Sequence, residues 1–343
     1  MKAVVFEAFG GTEVLKYREV PDPVAEAGEV VVQVKACSVN RTLDLEVREK
    51  GAGFGVTLPH ISGADPSGLV TQVGPGVSGV KVGDRIAAIP LLTCGNCRFC
   101  QRGEENACLS LKVMGVHRHG GYAEFVRVPV AHTIPVPASL SFPEASSLPL
   151  SYSVAWHLLV TRAQVNTQET VLIMAAGSGL GVAGIQIAKL RGARVLAAAG
   201  SDDKLQRSRS LGADATINYA QADLPQEVKR LTDGRGADVV YENIGSATWD
   251  RSVACLARKG RLVTCGTHGG SQASIDIRAL YRNHVSLLFS AGATRKEVAE
   301  VFRLAGGGTL KAVIDRTFPL KEAAEAQRYL TDRKNFGKVI LVP

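Results

Sequence analysis

The sequence predicts a mixed α/β protein: a doubly wound parallel sheet joined to a second, β-rich domain, both drawn from one 343-residue chain. Three observations carry that expectation. An apolar run over 171–176 passes into a glycine turn and then into Val182, Ile185 and Leu190 at roughly helical spacing, as when a buried parallel strand feeds a helix. Short strand and helix patterns then alternate as far as about residue 291, which implies right-handed crossovers. Before residue 94, short strand patterns are instead separated by glycine and proline turns, as in an antiparallel barrel or sandwich.

In chain order, residues 2–6 and 30–34 alternate as half-buried strands, with Pro21-Asp-Pro23 between them. Strand signals recur at 68–73 and 84–89, around the turns Gly74-Pro-Gly76 and Lys81-Val-Gly-Asp84. Ser141-Phe-Pro-Glu144 is a capping box that opens a helix, and 151–162 is the expected crossing between domains. The second half predicts strands at 194–199, 215–219, 237–242, 260–265 and 284–291. Helices are expected at 203–211, 225–232 and 249–257, with Gly212 ending the first of them. After residue 291 come an amphipathic helix over 296–304, a glycine turn at 306–308, a helix over 322–331 and a strand over 338–342. This tail does not continue the parallel sheet and is expected to return to the first domain. The expected domains are 1–150, 151–291 and a returning segment, 292–343.

Composition narrows the function classes. Hydrophobic content of 45% and charge of 21% are ordinary for a soluble protein. Glu7 interrupts a short apolar opening, so no signal peptide is expected, and no stretch reaches the ~18 apolar residues of a membrane helix. The net charge is +8, but Lys and Arg are dispersed, which suits small anionic ligands or simple solubility better than nucleic acid; no membrane partner is expected. Of seven cysteines, Cys37, Cys255 and Cys265 stand alone in apolar surroundings and are expected to be buried thiols. Nothing suggests a secreted disulfide scaffold, so a cytoplasmic protein is expected.

The other four cysteines cluster as Cys94-Gly-Asn-Cys97-Arg-Phe-Cys100 and then Cys108. Four thiols at this spacing on a Gly- and Asn-containing loop can close tetrahedrally around one Zn²⁺. The iron–sulfur spacing requires a fourth Cys three residues on and then Pro, whereas here it comes after seven. A Cys₄ site has no open position, so the expected metal is structural. His117 and His119 precede a glycine pair without an obvious third ligand, and are read as solvated or hydrogen-bonding side chains.

The glycine turn is an altered dinucleotide fingerprint. In the G-x-G-x-x-G pattern, Ala176 and Ser178 replace the first two glycines, Gly181 keeps the third, and Gly177 and Gly179 stand in shifted positions. Gly177, Ser178, Gly179 and Leu180 are therefore expected to lie against a pyrophosphate at a helix N-terminus. About 20 residues further on, where NAD sites place an acid, the chain has Gly200-Ser201, with Lys204 nearby and Tyr219 ending the third strand. That set suits a 2′-phosphate and favours NADP(H) over NAD(H). Taken singly, the same residues also suit a surface helix start with Ser201 or Asp202 as its N-cap. Gly266, just past the fifth strand, completes the expected cofactor set.

Taken together, these motifs resemble the medium-chain dehydrogenase/reductase superfamily of zinc alcohol dehydrogenases and quinone oxidoreductases. The likeness runs nearly end to end: Met1-Lys-Ala-Val-Val, the segment from Gly74 to Asp84, the four-Cys lobe, Gly120-Gly-Tyr-Ala-Glu124, the glycine turn and Gly337-Lys-Val. It implies a GroES-like barrel, a Rossmann domain and an active site in the cleft between them. In the zinc alcohol dehydrogenases a Cys, a His and a later Cys or acid hold a catalytic zinc. The positions that resemble them are Asn40, Ala64 of Gly63-Ala-Asp65, and Ser151 or Tyr152, so the structural zinc looks kept and the catalytic one lost. Asn40 and the Ala-rich glycine turn resemble the quinone oxidoreductase branch, and the family usually dimerises by pairing its last Rossmann strands edge to edge, here 285–290, so a homodimer or homotetramer is expected.

Without a Lewis acid, a simple carbonyl has little help for the charge that builds on oxygen during hydride transfer. A quinone or α,β-unsaturated carbonyl spreads that charge itself, and hydrogen-bond donors can stabilise it. The expected function is therefore an NADPH-dependent reductase of such small molecules. Asn40 is the candidate that orients substrate or cofactor, unless it only caps a loop. Asp44 and Asp65 are candidate acids, with Tyr152 and solvent as others. An alcohol dehydrogenase using Asp44, Asp65 or His60, and a cofactor-binding, crystallin-like protein without activity, are the competing expectations.

Overall fold

The computed structural model describes residues 1–343, with the side chain of Ala52 outside the description. The chain forms two compact units, Met1–Leu150 with Ala293–Pro343, and Ser151–Gly292.

The Ser151–Gly292 unit is built on six parallel strands. Their spatial order is Ala215–Asn218, Arg194–Ala199, Thr170–Ile173, Ala237–Glu242, Leu256–Thr264, Ser286–Phe289. This is the doubly wound order 3-2-1-4-5-6, whose reversal beside the first strand places a ligand crevice at the strands' carboxyl ends. Val171, Leu172 and Ile173 are fully buried, because helices cover both faces of such a sheet. That is why the strand reads as an uninterrupted apolar run. The helix predicted over 249–257 stops at Ala254, and the next strand begins at Leu256. Arg258 and Lys259 are exposed within that strand, Lys259 in the left-handed region; these charges hide its first half from an apolar-run reading.

The other unit carries a seven-stranded sheet. The path runs Ile314–Pro319, Lys338–Val342, Glu29–Val39, Pro66–Val73, Arg85–Ala88, Thr133–Pro135, and Phe125–Pro129 also pairs with Glu29–Val39. It is antiparallel throughout except for the parallel pair Ile314–Pro319 and Lys338–Val342. The 11-residue strand Glu29–Val39 is the spine: Phe125–Pro129 pairs with its first half, Lys338–Val342 with its last residues, and Pro66–Val73 along the other edge. Its inward side chains Val30, Val32, Val34, Cys37 and Val39 join one buried cluster with Val126, Val128, Val339 and Leu341. The predicted capping box at Ser141 and Glu144 is present, and Thr294 and Glu297 form a second one at the helix Arg295–Gly306. No helix among the described residues is long and apolar enough to cross a membrane.

Candidate active site

The thiol sulfurs of Cys94, Cys97, Cys100 and Cys108 lie within 4.8 Å of one another. The short pair Leu91–Leu92 and Lys112–Val113 closes the base of their loop. Backbone N–H groups around Cys97 hold its thiol down to about 6, while burial and the neighbouring sulfurs push Cys100 up to about 12. Four converging sulfurs of this kind repel one another as thiolates and suit a tetrahedral cation. They fit a structural zinc. Of the lone cysteines, Cys37 and Cys255 are buried as predicted, but Cys265 is half-buried, because it sits just beyond the end of its strand.

The carboxyl ends of the parallel strands assemble a second feature. After Thr170–Ile173 the chain turns through Ala175 at φ +48° into the 12-residue helix Gly179–Leu190. The Ser178 hydroxyl caps it, accepting the Gly181 N–H at 3.0 Å. A Cβ on Gly181 would stand 2.3 Å from the Ala175 carbonyl oxygen, so this glycine is required for the helix to press on the strand. Gly177 is buried, while Ser178, Gly179 and Leu180 are half-buried at the positive end of the helix dipole.

At the next strand end, Ser201 is the N-cap of the helix Asp202–Ser210 but makes no side-chain capping bond. Asp202 is turned aside, accepting from Asn218 Nδ2 at 2.7 Å. Tyr219 lies against Gly200, and the Arg251 guanidinium sits 5.8 Å from its ring centre. Lys204 is half-buried one turn into the helix. At the fourth strand, the buried Glu242 carboxylate accepts from the Ile244 and Gly245 N–H groups and the Thr248 hydroxyl. Asn243 ties that loop to the Met174 carbonyl, and Gly266 packs on the Asn243 backbone. Burial pushes the Glu242 carboxyl above its usual range.

A third cluster lies in the other unit, inside the Glu29–Val39 sheet. Asn40 follows that strand and is its hub. Its N–H donates to Asp44 Oδ2 at 2.6 Å, its Nδ2 to Asp65 Oδ1 at 3.1 Å, and its Oδ1 accepts from Lys338 Nζ at 2.6 Å. Ser38 Oγ donates to Asp65 at 2.7 Å, and the Gly63 N–H to Asp44 Oδ1 at 3.0 Å. Ser38, Asp44 and Asp65 are fully buried, Lys338 nearly so, and Asn40 half-buried. Burial pushes Asp44 up to about 7, raises Asp65 and lowers Lys338. Asn40 is the N-cap of the turn Arg41–Glu46 but makes no side-chain capping bond. Its amide instead serves the network.

Other sequence candidates stand apart. Tyr152 belongs to the Ser151–Gly292 unit and is fully buried there, its hydroxyl accepting from Gln186 of the same unit. His60 is held by the Gly115 carbonyl, by an edge contact with Phe6 and by a tilted contact with His119, and burial lowers it to about 4. His117 is exposed and accepts the Val113 N–H, a hydrogen-bonding role.

Residues 26–138 match the family model of the alcohol dehydrogenase GroES-like domain, and 179–306 that of the zinc-binding dehydrogenases. The crystal structure of an NAD-dependent alcohol dehydrogenase is 43% identical, with both chains fully covered and a TM-score of 0.95. The chain is a medium-chain dehydrogenase/reductase. It is therefore an oxidoreductase with a GroES-like and a Rossmann-type domain. Curated relatives include the NAD-dependent alcohol dehydrogenase of Sulfurisphaera tokodaii, 31% identical with 96% of each chain covered. Another is quinone oxidoreductase 1 of Escherichia coli, 28% identical with 99% of each covered.

The superfamily's zinc-dependent members raise the question of a catalytic metal, and the donor set answers it. The amide of Asn40, the methyl of Ala64 and the hydroxyls of Ser151 and Tyr152 occupy the positions that resemble the ligands. The Asn40 amide is engaged on both its oxygen and its nitrogen. Among the described residues, the Cys₄ lobe is the one group of three or more His, Cys, Asp or Glu side chains close enough to share an ion. The residues do not fit a catalytic zinc. Sequence reading missed Lys338, Ser38 and Glu242: each is remote in sequence from its partners or lies inside an ordinary strand pattern.

Proposed function

We propose that this dehydrogenase/reductase reduces quinones or α,β-unsaturated carbonyls, taking hydride from a nicotinamide dinucleotide without a catalytic metal. The observation that carries this reading is the Asn40 network, built of hydrogen-bonding side chains where metal-dependent members place ligands. When bound, the cofactor supplies a hydride. A conjugated acceptor takes it at carbon, and the resulting charge is delocalised over the acceptor, so hydrogen-bond donors suffice to stabilise it. The sealed burial of Asp44 and Asp65 makes them supports for Asn40 and unfit to meet substrate directly. Asn40, half-buried, is the member of the network with surface to offer.

For the cofactor we infer NADP(H). Support comes from Ser201 and Lys204 at the second strand end, the absence of an acid at 200–201, and the engagement of Asp202 by Asn218. The names of the alcohol dehydrogenase relatives favour NAD(H) instead. They also favour a second reading, oxidation of alcohols. Reduced thiols for the Cys₄ lobe suit the cytoplasm, and the exposed edge strand Ser286–Phe289 suits a homodimer or a tetramer built from it.

Purified protein assayed with NADPH and NADH against a quinone, an enone and an alcohol–aldehyde pair separates the readings. The expected result is faster oxidation of NADPH than of NADH, with the quinone or enone as acceptor. Turnover confined to alcohols and NAD⁺ sinks the proposal, and so does the absence of turnover with every quinone and enone.

A further inference from the structure

Around Asn40 stand two buried carboxyl groups, Asp44 and Asp65, and one buried amine, Lys338, none of which meets substrate in the reading above. Two carboxylates and one ammonium leave an excess negative charge in the sheet core when all are ionised, and unpaired buried charge is costly. Backbone register sets their arrangement. Val339 pairs with Val39 and Ile340 with Ser38, so the next rung places Lys338 opposite Asn40. Gly337, just before it, is at φ +93°, with the Val313 carbonyl oxygen 2.3 Å from where a Cβ would be.

The two contacts of the Asn40 amide select one orientation. Its oxygen takes the Lys338 ammonium and its nitrogen the Asp65 carboxylate. Turned over, the amide would set its NH₂ against the ammonium and its oxygen against the carboxylate, and both contacts would be repulsive. The side chain thus has a single favourable orientation as long as both charges are present.

We propose that Lys338 is a positioning residue: its ammonium locks the Asn40 amide and supplies the fixed positive charge of a centre that has no metal. This rests on the metal-free reductase reading and deepens it. The charged and titratable groups facing Asp44 are Asp65, Lys338, Tyr122 and Cys37; Asp65 raises its pKa and Lys338 lowers it. The two neighbours therefore pull in opposite directions.

The test compares the pH dependence of unfolding stability and of kcat in the wild type, Lys338→Met, Asp65→Asn and Lys338→Arg. Lys338→Met should move the Asp44 transition to higher pH and Asp65→Asn to lower pH, each by at least about half a unit. Whichever protonation state is active, the matching limb of the kcat profile should follow. Lys338→Met should also lower kcat roughly tenfold or more with little change in the cofactor KM, and Lys338→Arg should restore part of it. Should Lys338→Met fail to fold, the double variant Lys338→Met/Asp65→Asn, with one charge of each sign removed, is expected to fold.

Transitions that stay in place, or that move the same way in both single variants, overturn the proposal. So does a Lys338→Met enzyme with wild-type kcat, or a double variant no more stable than Lys338→Met. Stability is read without substrate, so an inactive wild type showing the opposed shifts would sink only the reductase reading.

Discussion

Asp44 shows how burial turns an ordinary acid into a reporter of its surroundings. Its carboxyl, moved from 3.8 to about 7 by desolvation, binds a proton in the folded protein over a pH range where the unfolded chain has released it. Its stabilising contribution is therefore complete below about pH 4 and is lost as pH rises through about 7, at no more than about 1.4 kcal/mol per pH unit. His60, His132 and His119, all lowered by burial, slope the other way, so the useful quantity is the difference between variants. Thermal unfolding of the wild type minus that of Asp44→Asn, measured from pH 4 to 8, should fall across that window and level off above it. A flat difference would mean that Asp44 is ionised throughout. At this scale the sequence was only partly legible. Asn40, Asp44 and Asp65 stood out by their positions, but the Lys338 contact spans 298 residues and depends on a strand register that periodicity does not reveal.

The glycine turn and the Cys₄ loop were legible as elements because each is a local device. Spacing placed the Cys₄ loop, and the apolar run with the strand–helix alternation after it placed the altered glycine turn, whereas the strand Leu256–Thr264 was masked by its own Arg258 and Lys259. Gly181→Ala would force the helix Gly179–Leu190 away from the strand it packs on, since the clash is with backbone. The expected outcome is a rise of about tenfold or more in cofactor KM with a smaller effect on kcat, read from steady-state kinetics. The lobe behaves differently. Cys97→Ser should abolish zinc retention and lower the melting temperature, as should a strong chelator acting on the wild type. Unchanged melting after full zinc removal would show that the lobe is held by its own chain.

For the whole molecule, the order of elements was readable because a doubly wound sheet repeats one unit, and because the tail's change of pattern marks its departure from that sheet. Which strand edge meets a second copy is a matter of surface. The strand Ser286–Phe289 ends its sheet; its Phe289 is 61% exposed, and Ile277 and Tyr281 of the helix that precedes it in the chain are 69% and 59% exposed. Apolar exposure beside an unpaired edge is a liability unless covered. If this edge joins two copies, Phe289→Glu should shift sedimentation from dimer towards monomer while leaving the fold intact, and an unchanged dimer would place the interface elsewhere. The same scale holds the central claim, hydride transfer in a chain that binds one structural metal and no catalytic one. Its most direct test is the zinc content of protein purified in active form, by elemental analysis per chain. One zinc, lost in Cys97→Ser, is the expected result; two per chain, with one surviving that substitution and required for turnover, would contradict it.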